Sequence, residues 1–140
     1  MIEVTELMVG DIVRVAKDVC IPKGTVVFIK GIDADNCFRE KHLVGSATCL
    51  AIYDKYRMTY GVWVDYLEPI PLTRGILEKI GFVEKEFYSE LIVGDYRIIC
   101  DLHNVCIQHN EHVDLDIPIE YLHELQRAFK LCRISKKIGL

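Results

Sequence analysis

The sequence has no apolar stretch approaching the roughly 20 residues that cross a bilayer as a helix. Its start, Met1-Ile2-Glu3-Val4-Thr5-Glu6, lacks the basic region and apolar run of a signal peptide. The expectation is a soluble, cytoplasmic protein with no membrane partner. No CxxC pair occurs, and the cysteines at 20, 37, 49, 100, 106 and 132 form no tight framework, so free buried thiols are expected. There is no G-x-S-x-G elbow, and Ser46 and Ser89 have no local base. No P-loop or dinucleotide fingerprint is present, so no cofactor and no catalytic residue is expected. Acidic residues outnumber basic ones, 21 Asp and Glu against 17 Lys and Arg. A net charge of −4 argues against a dedicated nucleic-acid binder, since phosphate affinity needs concentrated Lys and Arg.

What is present is a globular composition, 51% apolar and 27% charged, in 140 residues. A chain of that size buries roughly two thirds of its unfolded surface, enough for a core without metals or disulfides. The first half reads as short strands between turns. Ile12-Val13-Arg14-Val15 alternates between faces, Pro22-Lys23-Gly24 turns the chain, and Thr25 to Ile32 is a β-branched strand. Asp33-Ala34-Asp35-Asn36 predicts a tight turn before Cys37-Phe38-Arg39, and further strands follow at Ala47 to Tyr53 and Tyr60 to Leu67. Closely spaced short strands predict a small antiparallel barrel over residues 1–68. The opening Gly10-Asp11-Ile12-Val13 and the Pro-Lys-Gly-Thr turn resemble the start of SH3-like barrels.

Residues 69–73 form a stiff connector, because Pro69 and Pro71 fix their own φ and extend the residues before them. Residues 74–140 predict a small α+β unit of order α-β-β-β(-β)-α with helices on one face of a sheet. Thr73 is placed to cap a helix through Ile76, Leu77 and Ile80, with Gly81 as its stop and Phe82 packing back on Leu77. Strands are expected at Phe87 to Val93, Tyr96 to Asp101, and Val105 to Gln108. The alternation His112 to Ile117 sends Val113, Leu115 and Ile117 inward, either as a fourth strand or as an extended approach to the last helix. That helix should run from Ile119 to about Cys132, on a stripe of Ile119, Leu122, Leu125, Phe129 and Cys132.

Glu68-Pro69-Ile70-Pro71-Leu72-Thr73, Ile76-Leu77-Glu78-Lys79, Gly81-Phe82, Tyr121-Leu122-His123-Glu124-Leu125-Gln126 and Leu131-Cys132 together resemble a family of small uncharacterised bacterial and phage-associated proteins. The likeness covers mainly residues 66–140. Arg74-Gly75 stands where the family more often has Pro-Glu. The resemblance implies an architecture and a mobile-element context, and it carries no catalytic residues.

The residues that invite chemistry each have a structural explanation. His103, Cys106, His109 and His112 are spaced three apart, but residues of opposite parity on a strand face opposite ways, so no metal site is expected from the set. His123-Glu124 begins like HExxH, yet position 127 is Arg, and both side chains are expected on the solvated side of the helix. Cys100 and Cys106 flank a hairpin and are expected near one another as buried thiols.

Two surfaces remain. Tyr53, Tyr56, Tyr60 and Trp63, interleaved with Lys55 and Arg57, suit a protein-binding surface of aromatic anchors oriented by cations, though the same rings can build a barrel core. Arg127, Lys130, Arg133, Lys136 and Lys137 form a basic end. It could meet nucleic-acid phosphates, or simply complement a helix C-terminus. The leading expectation is a non-enzymatic protein-binding module. Nucleic-acid binding is the alternative.

Overall fold

The computed structural model describes residue 8 and residues 10–17, 22–33, 48–53, 58–63, 66–136 and 138; for 32–33, 48–53 and 58–63 only the backbone is described. The chain divides into two compact units, Met1–Ile70 and Pro71–Leu140.

The first unit is an antiparallel sheet of β1 (Ile12–Val15), β2 (Val26–Asp33), β3 (Thr48–Tyr53), β4 (Met58–Trp63) and β5 (Leu67–Glu68), in the order β4-β3-β2-β1-β5. Val13, Val15, Val27, Ile29 and Leu67 are fully or almost fully buried on one face, as strand alternation requires. Arg14 lies on the other face, where its Nε donates to Glu68 Oε1 at 2.5 Å. Gly10 (φ 98) lets the chain turn before buried Asp11, whose Oδ2 accepts from the Met8 amide at 2.8 Å. The Pro22 turn is present, closed by the Thr25 amide on the Pro22 carbonyl, with Gly24 at φ 87. A bulge between Ile29 and Gly31 shifts the β2–β3 register.

One expected strand is two: Tyr60 to Leu67 divides into β4 and β5, with Tyr66 in a short helical turn before β5. No bridge joins β4 to β5 among the described residues, so the described sheet is open. Cys37-Phe38-Arg39 and the turn before it, beyond Asp33, lie outside the described residues.

The second unit begins with α1 (Arg74–Ile80) and ends with α2 (Leu122–Leu131). Between them a meander runs β6 (Val83–Glu84), β7 (Ser89–Val93), β8 (Tyr96–Cys100), β9 (Asn104–His109) and β10 (His112–Pro118), all antiparallel neighbours. The optional fourth strand exists, and a two-residue strand, β6, precedes it unforeseen. The strand expected from Phe87 starts at Ser89, with Phe87 in an exposed bend. Thr73 Oγ1 accepts from the Ile76 amide at 3.2 Å. Gly81 (φ 119) ends α1, with its amide on Glu78 O and the Phe82 amide on Leu77 O, and both Leu77 and Phe82 are buried.

The last helix is shorter than expected. Pro118 ends β10, and residues 119–121 stay outside the helix because other groups hold them. The Ile119 amide donates to His103 O at 2.8 Å, the Leu72 amide donates to Glu120 O at 3.0 Å, and Tyr121 bridges Pro71. Glu124 Oε1 then accepts from the Tyr121 and Glu120 amides, each at 3.0 Å, which starts the helix at Leu122. Leu77, Ile80, Leu122, Leu125, Ala128 and Phe129 from the helices join Leu91, Ile98, Cys100, Val105 and Ile107 from one sheet face as the buried core of this unit. Among the described residues no helix is long and apolar enough to cross a membrane.

Candidate functional site

Paired residues of an antiparallel ladder share a face, so the register sorts the second sheet completely. Ser89, Leu91, Ile98, Cys100, Val105 and Ile107 face the helices. The opposite face carries the row Glu90, Ile99, Cys106, Asp116 and the row Ile92, Arg97, Gln108, Val113. Large apolar side chains flank the second row: Ile92 is 59% exposed and Val113 58%. Between the rows, Arg97 reaches Glu90 Oε2 through Nε at 2.9 Å and Nη2 at 2.7 Å. That hydrogen bond raises the guanidinium pKa.

Val113 was expected inward. A bulge between Val113 and Leu115 moves it to the outer face opposite Gln108, while Leu115 and Ile117 keep inner positions opposite Ile107 and Val105. Ile92 carried a signal that went unused. Leu91-Ile92-Val93 is a run of three apolar residues in a strand, and at least one must face away from the core.

The His/Cys quartet does not converge. Cys106 lies on the outer face, His103 precedes the far end of β9, and His109 and His112 are direct register partners at the other end. No three His, Cys, Asp or Glu groups come close enough to hold a metal among the described residues. Cys100 and Cys106 also part company: Cys100 pairs with Val105 on the buried face, whereas Cys106 pairs with Ile99 on the outer one. Four residues lie between the paired Cys100 and Val105, and that even count sends Cys106 to the face opposite Cys100. Burial pushes the Cys100 thiol pKa up. At Cys132 burial and then the charge of Asp114 act the same way.

His123 is not on the solvated side of α2. It is buried, with its ring stacked on Tyr121 at 5.8 Å and 9°. Glu124 is spent as the helix cap. Beside it lies an open depression of about 390 Å³ lined by His103, Pro118, Ile119, Glu120, Tyr121 and Glu124. The bridge from Pro71 to Tyr121 ties the segment before α1 to the start of α2.

Of the aromatic set, Tyr53 sits opposite Met58, Tyr60 opposite Ala51 and Trp63 opposite Thr48, with only their backbones described. Lys55, Tyr56 and Arg57 lie outside the described residues. Of the basic set, Arg127 is half-buried, Lys130, Arg133 and Lys136 are exposed, and Lys137 lies outside the described residues. The Lys136 ammonium folds back to 3.7 Å from where a Cβ on Gly81 would stand. It therefore sits at the C-terminal end of α1, whose last turn carries Lys79.

The described chain is an α+β protein of two antiparallel sheets, the second bearing two helices. No family model, curated protein or solved structure matches it.

Proposed function

We propose that the protein is a non-enzymatic protein-binding module that uses the outer face of its second sheet. The observation that carries this reading is the placement of Ile92 and Val113, more than half exposed, at the two ends of one cross-strand row. Arg97 and Gln108 between them offer oriented donors, and the Arg97–Glu90 pair fixes the guanidinium beforehand. Apolar anchors beside preorganised polar groups are the make-up of a contact surface. The first unit is proposed as an SH3-like barrel, supported by its strand order β4-β3-β2-β1-β5 and by the bulge in β2. Its aromatic segment, Tyr53 to Trp63, would add a second contact surface.

The test is the double variant Ile92→Asp/Val113→Asp. Circular dichroism should match the wild type, since neither side chain is in the core. Affinity purification from the native host, quantified by mass spectrometry, should then lose specific proteins that the wild type captures. Identical captured sets from two equally folded proteins would sink the reading.

A second reading, nucleic-acid binding, is favoured by the return of Lys136 to α1, which adds Lys79 to exposed Lys130 and Arg133. It requires retention on a low-salt heparin column that falls steeply with salt; no retention removes it.

A further inference from the structure

We propose that His109 and His112 form a two-histidine clamp for a divalent transition-metal ion of borderline softness, such as nickel(II) or copper(II). The two residues flank Asn110 and Glu111, whose φ values of 51 and 69 are both left-handed. That is the pattern of a type I′ turn, the two-residue connection whose twist suits a hairpin. The turn fixes His109 opposite His112, and direct partners on an antiparallel ladder project from the same face with Cβ atoms about 5 Å apart.

One imidazole is held in advance. The His109 ring stacks on Tyr96, its register partner on the other side, with centroids 4.4 Å apart and planes 14° apart. His112 is exposed and free of packing demands, so it can swing to meet an ion at its neighbour. A metal bound here takes two ring nitrogens from the protein. Because no third His, Cys, Asp or Glu group completes the site among the described residues, water fills the remaining positions. Zinc in a structural site wants four protein donors. Nickel and copper accept imidazole with water in open geometries, and copper leads the affinity order. The parity argument that separates Cys106 from His109 is the same argument that unites His109 with His112, because the turn between them is two residues long.

The experiment titrates nickel(II) chloride into the untagged, full-length, nitrogen-15-labelled protein under mildly alkaline conditions. Nickel is used because it does not oxidise the thiols. Paramagnetic broadening should begin at the amides of Tyr96 and residues 109–112, and calorimetry should give a saturable single-site isotherm. His112→Asn, at an exposed position, should weaken binding by about tenfold or more. His103→Asn should leave it unchanged. His109→Asn gives a second variant from the opposite strand. The clamp is refuted if broadening centres elsewhere, if no saturable binding occurs, or if His112→Asn binds as the wild type does.

Discussion

The amide of Ile134 donates to the carbonyl of Phe129 at 2.8 Å, and Arg133 between them is held at φ 57. With the Arg133 amide on Lys130 O at 3.1 Å, this closes α2 in a Schellman motif. Phe129 and Ile134 are both buried, which supplies the apolar contact that accompanies such an ending. The left-handed position is one that glycine occupies without a Cβ penalty. Arg133→Gly should therefore stabilise the protein by about 0.5–1 kcal/mol. Urea unfolding should show a higher midpoint with an unchanged slope; a lower midpoint would mean the arginine side chain supplies something that outweighs its strain.

Glu111 occupies the second left-handed position of the β9–β10 turn, where Asn-Gly is the favoured pair and Asn110 already holds the first. Glu111→Gly should raise stability by about 0.5–1 kcal/mol on the same grounds. The His109–His112 register should survive, since the turn length is untouched. Cross-strand nuclear Overhauser effects between the two α-protons' neighbours would check the register, and thermal unfolding would check the gain.

Glu124 serves α2 through one oxygen that takes two amides. Gln keeps that acceptor and Ala removes it. Glu124→Ala should cost about 1 kcal/mol, with Glu124→Gln close to the wild type. Equal losses in the two variants, measured by denaturant unfolding, would show that charge and not the cap carries the effect.

Asp101 turns the chain between β8 and β9, its Oδ1 accepting from the Asn104 amide at 2.7 Å and the His103 amide at 3.0 Å. Burial opposes ionisation there, but those two donors and the charge of His103 outweigh it, so the carboxyl pKa is lowered. A folded pKa below the unfolded one gives stability that is present above the ordinary aspartate value of about 3.9 and is lost as pH falls through the folded value. The advantage of wild type over Asp101→Ala should thus be widest near neutrality and shrink in acid below that value. A difference that grows on acidification would contradict the sign.

Much of the second unit was legible because its signals are local. Thr73, Gly81 and Phe82 specify both ends of α1 within ten residues of sequence. The strands expected at Tyr96 to Asp101 and at Val105 to Gln108 are present as β8 and β9. What escaped depends on partners far along the chain. The start of α2 is set by Leu72, Pro71 and His103, so the apolar stripe from Ile119 overran it. The outward turn of Val113 follows from one unpaired residue, and a perfect alternation of letters gives no hint of it. His123 looked polar and therefore solvated, whereas its neighbours on α2 carry it into the interior. In the first unit, apolar continuity from Tyr60 to Leu67 concealed the break at Tyr66.

The kink at Asp114 has one more consequence. β10 is the last strand of its sheet, and a long straight last strand would offer its unpaired amides and carbonyls to any extended chain. The extra residue breaks that row in the middle, Pro118 removes a donor at its end, and exposed Asp114 and Asp116 set like charges against a second copy of the same strand. The irregularity that brings Val113 to the outer face also guards the molecule against stringing itself, strand to strand, into a fibre.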